Sequence, residues 1–508
     1  MAFSEKTSSM AVLEGNQALA RGTIPETLNM QPDVAAVPAG IEPKISHAAL
    51  LVASQVVRWS LRLVFVLVVA RTLGPEKFGV YALLFALTEF LAVASGSGYA
   101  DYLTREAAKN EPLGWGLASQ LASLRIAIVV PIAAIEIGIL HAMHYPRAVL
   151  IGTAWMALAV VPRSASEAVQ GVLRGVCRFG GYLLIDVALG GSLVAGGVYL
   201  ALRHGGLRAA IVSEILAASA AGITGLVLAW KYRTTHQILV PRSSLFKTSA
   251  VFNVYSLVGS FYDRFDVVLL SKLVGDYATG IYAVAYRALS MTQIVGYGVL
   301  YSLLPGLSRD AWSKDGRRRL ERATVLLLCA GFGVVLATTV FAGPAVRLLL
   351  GDRYAESAGA LKILVWAVIL RYINCALNIA LIAAGRERVL VTTSLVCLAL
   401  NFIGNLVFIP RYSWRAAAVM TTVTELALLS QNLYWVRQTL GGVEFPEGMA
   451  RTSFVFAALL GAALAAERLG LPLTAGTACL VIFGAYLYAS GILTEFAAVW
   501  GAERSPEG

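Results

Sequence analysis

Charge is scarce in this chain, and that scarcity excludes more than any motif does. Only 14% of the 508 residues are charged, against 58% hydrophobic, and mean hydropathy is +0.71. A soluble globular domain devotes about 25% of its residues to Asp, Glu, Lys and Arg, so the composition is that of a membrane protein. Cysteine is sparse as well. Cys177, Cys329, Cys375, Cys397 and Cys479 show neither CxxC nor Cys/His spacing, which argues against zinc or disulfide chemistry and leaves small side chains in or beside apolar segments. P-loop, Rossmann, HExxH and GxSxG patterns are missing from any supporting context, so no catalytic residue, metal or cofactor is expected. Also missing are the alternating segments of about ten residues that mark a spanning β-barrel.

What is present is a succession of apolar stretches of about 20 residues, each able to cross roughly 30 Å of hydrocarbon as a helix. About 14 are expected, with cores at 48–70, 78–98, 117–140, 148–170, 182–202, 208–230, 248–272, 279–303, 323–343, 359–384, 389–409, 416–437, 451–467 and 473–495. Connections are short; the longest, around 231–247, 304–322 and 438–450, hold at most an interfacial helix. Residues 1–45 mix Gly, Pro, Ser, Asn, Gln and Glu without a period, and read as a disordered cytoplasmic tail with no cleaved signal. The net charge of +11 follows topology rather than nucleic acid. Loops assigned alternately, with the N-terminus inside, put about 22 Lys/Arg on the cytoplasmic side and about 11 outside, so both termini are expected in the cytoplasm. The densest cluster, RDAWSKDGRRRLER, reads as a topology determinant facing anionic inner-leaflet lipid.

Two stretches about 201 residues apart carry one pattern. The first continues from Arg62 as LVFVLVVARTLGPEKFGVYA and the second from Arg264 as FDVVLLSKLVGDYATGIYA. In register, Arg71 falls on Lys272, Gly74 on Gly275, Gly79 on Gly280, and Tyr81-Ala82 on Tyr282-Ala283. The repeat distance holds six spans, an even number, so both copies enter the membrane in the same direction, and such repeats commonly hold substrate at their interface. The expected fold class is therefore all-α: a polytopic membrane protein with two parallel six-helix lobes, 46–232 and 233–440, two additional helices at 441–498, and a cytoplasmic tail at 499–508.

Buried cations mark candidate function, because an ionised side chain among lipid tails is costly. Arg125 and Arg163 lie within roughly 12 Å of expected helix ends, a distance from which long side chains snorkel to headgroups. Arg58 and Arg62 are less comfortable. With Gln55 they follow i, i+3, i+7 spacing on one face, and Asn253, Ser256, Ser260 and Asp263-Arg264 line a stripe on the seventh span. Arg287 falls at a similar depth on the eighth, so three helices bring cations to one level. Arg371, Asn374 and Asn378, with Asn401 and Asn405, suit interhelical hydrogen bonds, although the first three also qualify as secondary cavity residues. Glu89, Asp263, Asp266 and Glu425 are candidates for arginine pairing or ion coupling.

ARTLGPEKFGVYA, its second-half copy, YAESAGALKILVWAVILRYINCALNIALIAAGRERVL and NFIGNLVFIPRYSW together resemble one family over residues 46–440. It is the polysaccharide-transporter branch, including Wzx-type O-antigen and exopolysaccharide flippases, of the multidrug/oligosaccharidyl-lipid/polysaccharide flippase superfamily. The resemblance implies a two-lobed bundle around a central cavity. Its members flip undecaprenyl-pyrophosphate-linked oligosaccharide across the bacterial inner membrane by alternating access. Implied partners are that lipid-linked glycan, membrane lipid, and polysaccharide polymerase and assembly proteins, with no nucleic acid. Related flippases of lipid-linked peptidoglycan precursors use cavity arginines on the first, second, seventh and eighth helices. The matching positions here are Arg58 and Arg62, then Arg264, then Arg287; the second helix carries Glu89 instead of an arginine. After IPRY, Ser413 and Arg415 stand where relatives have glycines. Two other readings remain at this point: a cation-coupled drug or metabolite exporter using the four acids above, and a membrane polysaccharide polymerase, which would need a larger exposed loop.

Overall fold

The apolar segments fold as helices, and the breaks between them fall where glycine permits a sharp turn. The computed structural model describes residues 45–96, 98–232, 242–293, 296, 314–441, 448–469 and 472–492. Residues 1–44 of the expected tail, the first part of the 304–322 connection (304–313) and the side chains of Asn253 and Ser256 lie outside the described residues. Ile45–Ala94 is one helical run broken at Gly74 (φ 74°, ψ 170°) into α1 (45–73) and α2 (75–94). It is followed by α3 (Tyr99–Lys109), α4 (Glu111–Ala142), α5 (Arg147–Gly175), α6 (Phe179–Leu202) and α7 (Leu207–Tyr232). The second half comprises α8 (Arg242–Leu273), α9 (Asp276–Met291), α10 (Lys314–Leu350), α11 (Ala355–Ala383), α12 (Glu387–Tyr412) and α13 (Trp414–Leu440), with α14 (Gly448–Arg468) and α15 (Pro472–Ala489) appended.

All of these except α3 correspond to expected spans, and the chain is a multi-pass membrane protein of two helical lobes. Nine helices among the described residues are long and apolar enough to cross a membrane by length and composition alone, the broken Ile45–Ala94 run counting once. The polar residues inside α8 and α13 set those two helices apart. Large apolar side chains such as Val130 and Trp230 point outward, 69% and 72% exposed, as lipid-facing residues do. The unexpected α3 is an 11-residue amphipathic helix that buries Tyr99, Tyr102, Leu103, Thr104 and Ala107. It is too short and too mixed in polarity to register as a span.

The duplicated motif builds a symmetric crossing between the lobes. Gly74 and Gly275 (φ 109°, ψ 178°) occupy backbone conformations open chiefly to glycine, and each is followed immediately by α2 or α9. Gly79 and Gly280 then let those helices touch. A Cβ on Gly79 would lie 1.8 Å from the Asp276 carbonyl oxygen, and one on Gly280 would lie 2.0 Å from that of Pro75. Pro75 and Asp276 are themselves equivalent positions of the repeat.

The cations of the motif clasp the same end. Arg71 Nη1 donates to the carbonyls of Leu348 (3.0 Å) and Leu349 (3.4 Å) in the last turn of α10. Its counterpart Lys272 donates to the Met143 carbonyl just past α4, which is the corresponding helix of the other lobe. Both contacts place a cation at the negative end of a helix dipole. Two tyrosines complete the exchange: Tyr354 donates to the Ala70 carbonyl in α1 at 2.8 Å, and Tyr145 to that of Val268 in α8 at 3.4 Å. Each lobe thus grips the other's motif helix with a tyrosine and gives a cation in return.

One departure noted in the sequence is visible as strain. Ser413, between α12 and α13, holds φ 55° and ψ −142°, a region that penalises a Cβ. Ser413→Gly is expected to stabilise the protein by about 1–2 kcal/mol, read as a higher unfolding temperature of the purified protein in detergent. Gly79→Ala or Gly280→Ala should instead destabilise it by about 1–3 kcal/mol or more, whereas Gly461→Ala, which meets nothing within 4 Å, serves as the neutral control in the same measurement.

Candidate functional site

The crossing of α2 and α9 sets what lies beneath it, because each helix carries its aromatic and charged residues at fixed offsets from its glycine. On α2, Phe78, Tyr81 and Phe85 follow 3- and 4-residue spacing and form one stripe. The rings of Phe78 and Tyr81 are 5.8 Å apart, and Tyr81 and Phe85 are stacked at 6.4 Å. Three guanidiniums gather on Phe85. The Cζ atoms of Arg62 (α1), Arg264 (α8) and Arg287 (α9) lie 4.4, 5.0 and 4.9 Å from its ring centroid. The ring and all three arginines are half-buried, so the cluster meets space a water molecule can enter.

These cations are not equivalent. Arg62 Nη1 bonds Glu214 of α7 at 2.8 Å, and Tyr81 donates its hydroxyl to the same carboxylate. Among the described residues, Arg264 and Arg287 have no carboxylate within salt-bridge distance. With Cζ atoms so close to one centroid, any two of the three lie within roughly 10 Å of each other. Like-charge repulsion at an effective dielectric near 20 is then about 2 kcal/mol per pair. Cation–π attraction of about 0.5–2 kcal/mol each offsets much of it, and an anion between the guanidiniums would reverse its sign.

Arg58 stands apart from this group. It donates a hydrogen bond to the Gln55 side-chain oxygen and lies over Trp59 at 6.0 Å. The expected four-arginine ring is therefore three arginines around a phenylalanine, with Arg58 one helical turn away on α1.

The snorkelling expected of Arg125 and Arg163 does not occur. α4 begins at Glu111 and α5 continues to Gly175, which puts both residues roughly 20 Å inside their helices, too deep to reach headgroups. They join an internal chain instead. Arg125, 3% exposed, pairs with Glu167 at 2.5 Å and donates to the Ala92 carbonyl at 3.0 Å. Arg163 bridges Glu167 at 2.6 Å and Glu89 at 2.5 Å. Glu89 is thereby an arginine partner, though of Arg163 and not of the site cations.

Elsewhere in the second lobe, Arg371 and its polar neighbours are paired. Arg371 pairs with Glu425 at 2.8 Å, Asn374 donates to that carboxylate at 3.1 Å, and Asn432 donates to Asn374 and Asn378 at 3.1 and 3.0 Å. Asn401 reaches Thr424 at 3.2 Å and Asn405 reaches Asn401 at 2.9 Å. Asp266 accepts from the Tyr282 hydroxyl, and Asp263 from that of Tyr286 at 3.4 Å. The tyrosines of the repeat, Tyr81 and Tyr282, therefore play one role: each hydrogen-bonds a buried carboxylate.

Sequence reasoning missed Phe85, Glu214, Glu167 and Asp186, the last accepting from Ser54 and from Gln170 at 2.9 Å. For the three acids a signal existed, since each is an isolated carboxylate in an apolar run. Phe85 had none. Among the described residues no group of three or more His, Cys, Asp or Glu side chains is arranged to hold a metal ion.

The sequence pattern of the family described as "Polysaccharide biosynthesis protein" matches residues 68–359, which include α2, α8 and α9. The chain belongs to this family. Among characterised relatives, it is 24% identical over 371 residues to "Probable low-salt glycan biosynthesis flippase Agl15" of Haloferax volcanii, covering 70% of this chain and 75% of that protein. It is 25% identical over 187 residues to the capsular polysaccharide biosynthesis protein CapF of Staphylococcus aureus, covering 36% of this chain and 47% of that one. The fold of this family member is similar to that of the lipid II flippase MurJ in an inward closed conformation, with TM-score 0.68 and 13% identity over 88% of this chain and 100% of the other. It is also similar to an inward-facing MATE-family multidrug transporter of the MOP superfamily, with TM-score 0.62 and 14% identity over 76% and 98%.

The Arg62–Glu214 pair is open to a direct test. Glu214→Ala strands a guanidinium that is only 13% exposed and should lower stability by about 3–5 kcal/mol. The double variant Arg62→Met with Glu214→Leu should recover most of that loss in thermal unfolding of protein reconstituted in nanodiscs.

Proposed function

We propose that the protein is a flippase for a polyprenyl-pyrophosphate-linked glycan, undecaprenyl-linked and in the bacterial inner membrane, with both termini cytoplasmic. Residues 46–232 and 233–440 act as the two moving lobes, and 441–498 as appended helices. The observation that carries this reading is the convergence of Arg62, Arg264 and Arg287, from both lobes, on one partly open ring. Arg264 and Arg287 lack carboxylate partners among the described residues, which leaves about two positive charges for a ligand, and a pyrophosphate diester brings about two negative ones. Arginine's planar fork suits its oxygens. The glycan occupies the aqueous space between the lobes while the polyprenyl tail stays in lipid. Polymerase and assembly proteins act before and after this step.

Alternating access finds support in the clasp. Its Arg71 and Lys272 contacts are exposed hydrogen bonds to backbone carbonyls at helix ends, which water replaces at little cost when that end opens. On the cytoplasmic-terminus topology the clasped end is the outer one.

The exporter reading requires acids free to take a cation. All four candidates have partners: Glu89 has Arg163, Asp266 has Tyr282, Asp263 has Tyr286, and Glu425 has Arg371 and Asn374. No observation raises that reading above the flippase, and the relatives named for an activity are flippases and transporters.

Arg264→Ala and Arg287→Ala should each abolish glycan export and cause complete lipid-linked intermediate to accumulate on the cytoplasmic leaflet, with protein levels in the membrane unchanged. Normal export by both variants rejects the site, and an incomplete sugar chain on the accumulated lipid points to an assembly role.

A further inference from the structure

We infer that Phe85 is the positioning residue of the anion site: its ring holds three guanidiniums from two lobes at a spacing ready for a ligand. The inference rests on the reading of Arg62, Arg264 and Arg287 as that site, and adds what keeps them there.

Three like charges close together separate unless something opposes them. Arg62 has Glu214; Arg264 and Arg287 have no such partner among the described residues, and their cation contact is the face of Phe85, at 5.0 and 4.9 Å. Those distances fall inside the range of about 6 Å over which a ring quadrupole attracts a cation. The ring is itself fixed. Tyr81 stacks on it one turn away, and Tyr81 is anchored in turn by its hydrogen bond to Glu214 and by the Phe65 and Phe78 rings.

The repeat supplies an internal comparison. In register, Phe85 falls on Tyr286, an aromatic residue on the equivalent helix of the other lobe. The Tyr286 hydroxyl reaches Asp263 at 3.4 Å, so that ring gathers a carboxylate at its polar tip. Phe85 has no tip and offers cations its face alone. At one register position the repeat thus carries a ring that meets cations in the first lobe and a hydroxyl that meets a carboxylate in the second.

Two acids are close at hand. Glu89 lies one turn beyond Phe85 on α2, and Asp263 precedes Arg264 on α8. These acids already have partners in Arg163 and Tyr286, so the ring is the contact that holds Arg264 and Arg287 together; with its attraction weakened the guanidiniums move apart, and a ligand must first regather them. Phe85 thus raises affinity through the arginines.

The test replaces Phe85 with mono-, di- and trifluorophenylalanine, which keep the ring's shape while draining its quadrupole, and measures binding of inorganic pyrophosphate to the full-length protein in nanodiscs by calorimetry. Affinity should fall stepwise, by about tenfold at the trifluoro ring. Phe85→Tyr, which retains the face, should stay within about threefold of the parent, and Phe85→Leu should bind at least as weakly as the trifluoro protein. A flat or rising series overturns the role of Phe85. Arg264→Ala and Arg287→Ala, measured alongside, separate the two levels of the argument. If they abolish pyrophosphate binding while the fluorinated series is flat, the anion site stands and the positioning role falls. If they bind pyrophosphate like the parent, the site assignment and the role of Phe85 fall together.

Discussion

An ionised side chain inside a membrane protein must either find a counter-charge or face water, and much of this structure follows from that demand. Arg125, Arg163, Glu89 and Glu167 form one internal chain that ties α2, α4 and α5 together. Arg62 and Glu214 tie α1 to α7, and Arg371 and Glu425 tie α11 to α13. Helices in lipid gain little from the hydrophobic effect when they associate, so these pairs also specify which faces meet. Removing either member of such a pair leaves a charge with nowhere to go. Against that background Arg264 and Arg287, like Arg58, have no carboxylate within salt-bridge distance among the described residues, and these two meet the face of one ring instead.

The duplication explains where the exceptions sit. Gly79 and Gly280 allow α2 and α9 to cross in backbone contact, and the reciprocal Arg71 and Lys272 bonds fix the angle between the lobes. Beyond that crossing, two helices that share Gly, Tyr and Ala at the contact could be expected to present similar chemistry. They do not, because a few substitutions divide their labour. Arg62 falls in register on Asp263, and Phe85 on Tyr286, while Arg287 replaces a small residue, Ala86, of the other copy. Symmetry builds the crossing, and its local failure gathers an excess of positive charge beside it.

Much of the fold was legible in the primary structure. Apolar runs long enough to span, a positive-charge bias among loops and a repeat containing an even number of spans are local or periodic properties that need no knowledge of packing. The break at Gly74 was readable for the same reason, since glycine followed by proline interrupts a helix through its own backbone limits. The amphipathic α3 was not, being too short for its periodicity to stand out. Of the candidate site, Arg62, Arg264 and Arg287 were readable as cations at a common depth. The fates of Arg125 and Arg163 were misread because the helix ends lay farther out than hydropathy suggested, and several residues of depth decide between snorkelling and pairing.

The sequence by itself determined the membrane class, the helical spans, the parallel repeat and the positions at which charge would be buried, because each depends on composition or spacing along one chain. Tertiary structure alone decided which charges cancel. Glu214 lies 152 positions from Arg62, and Phe85 collects Arg264 and Arg287 from the opposite lobe. Electrostatic energy depends on distance through space, and no pattern along one helix records which face of a neighbour it will meet.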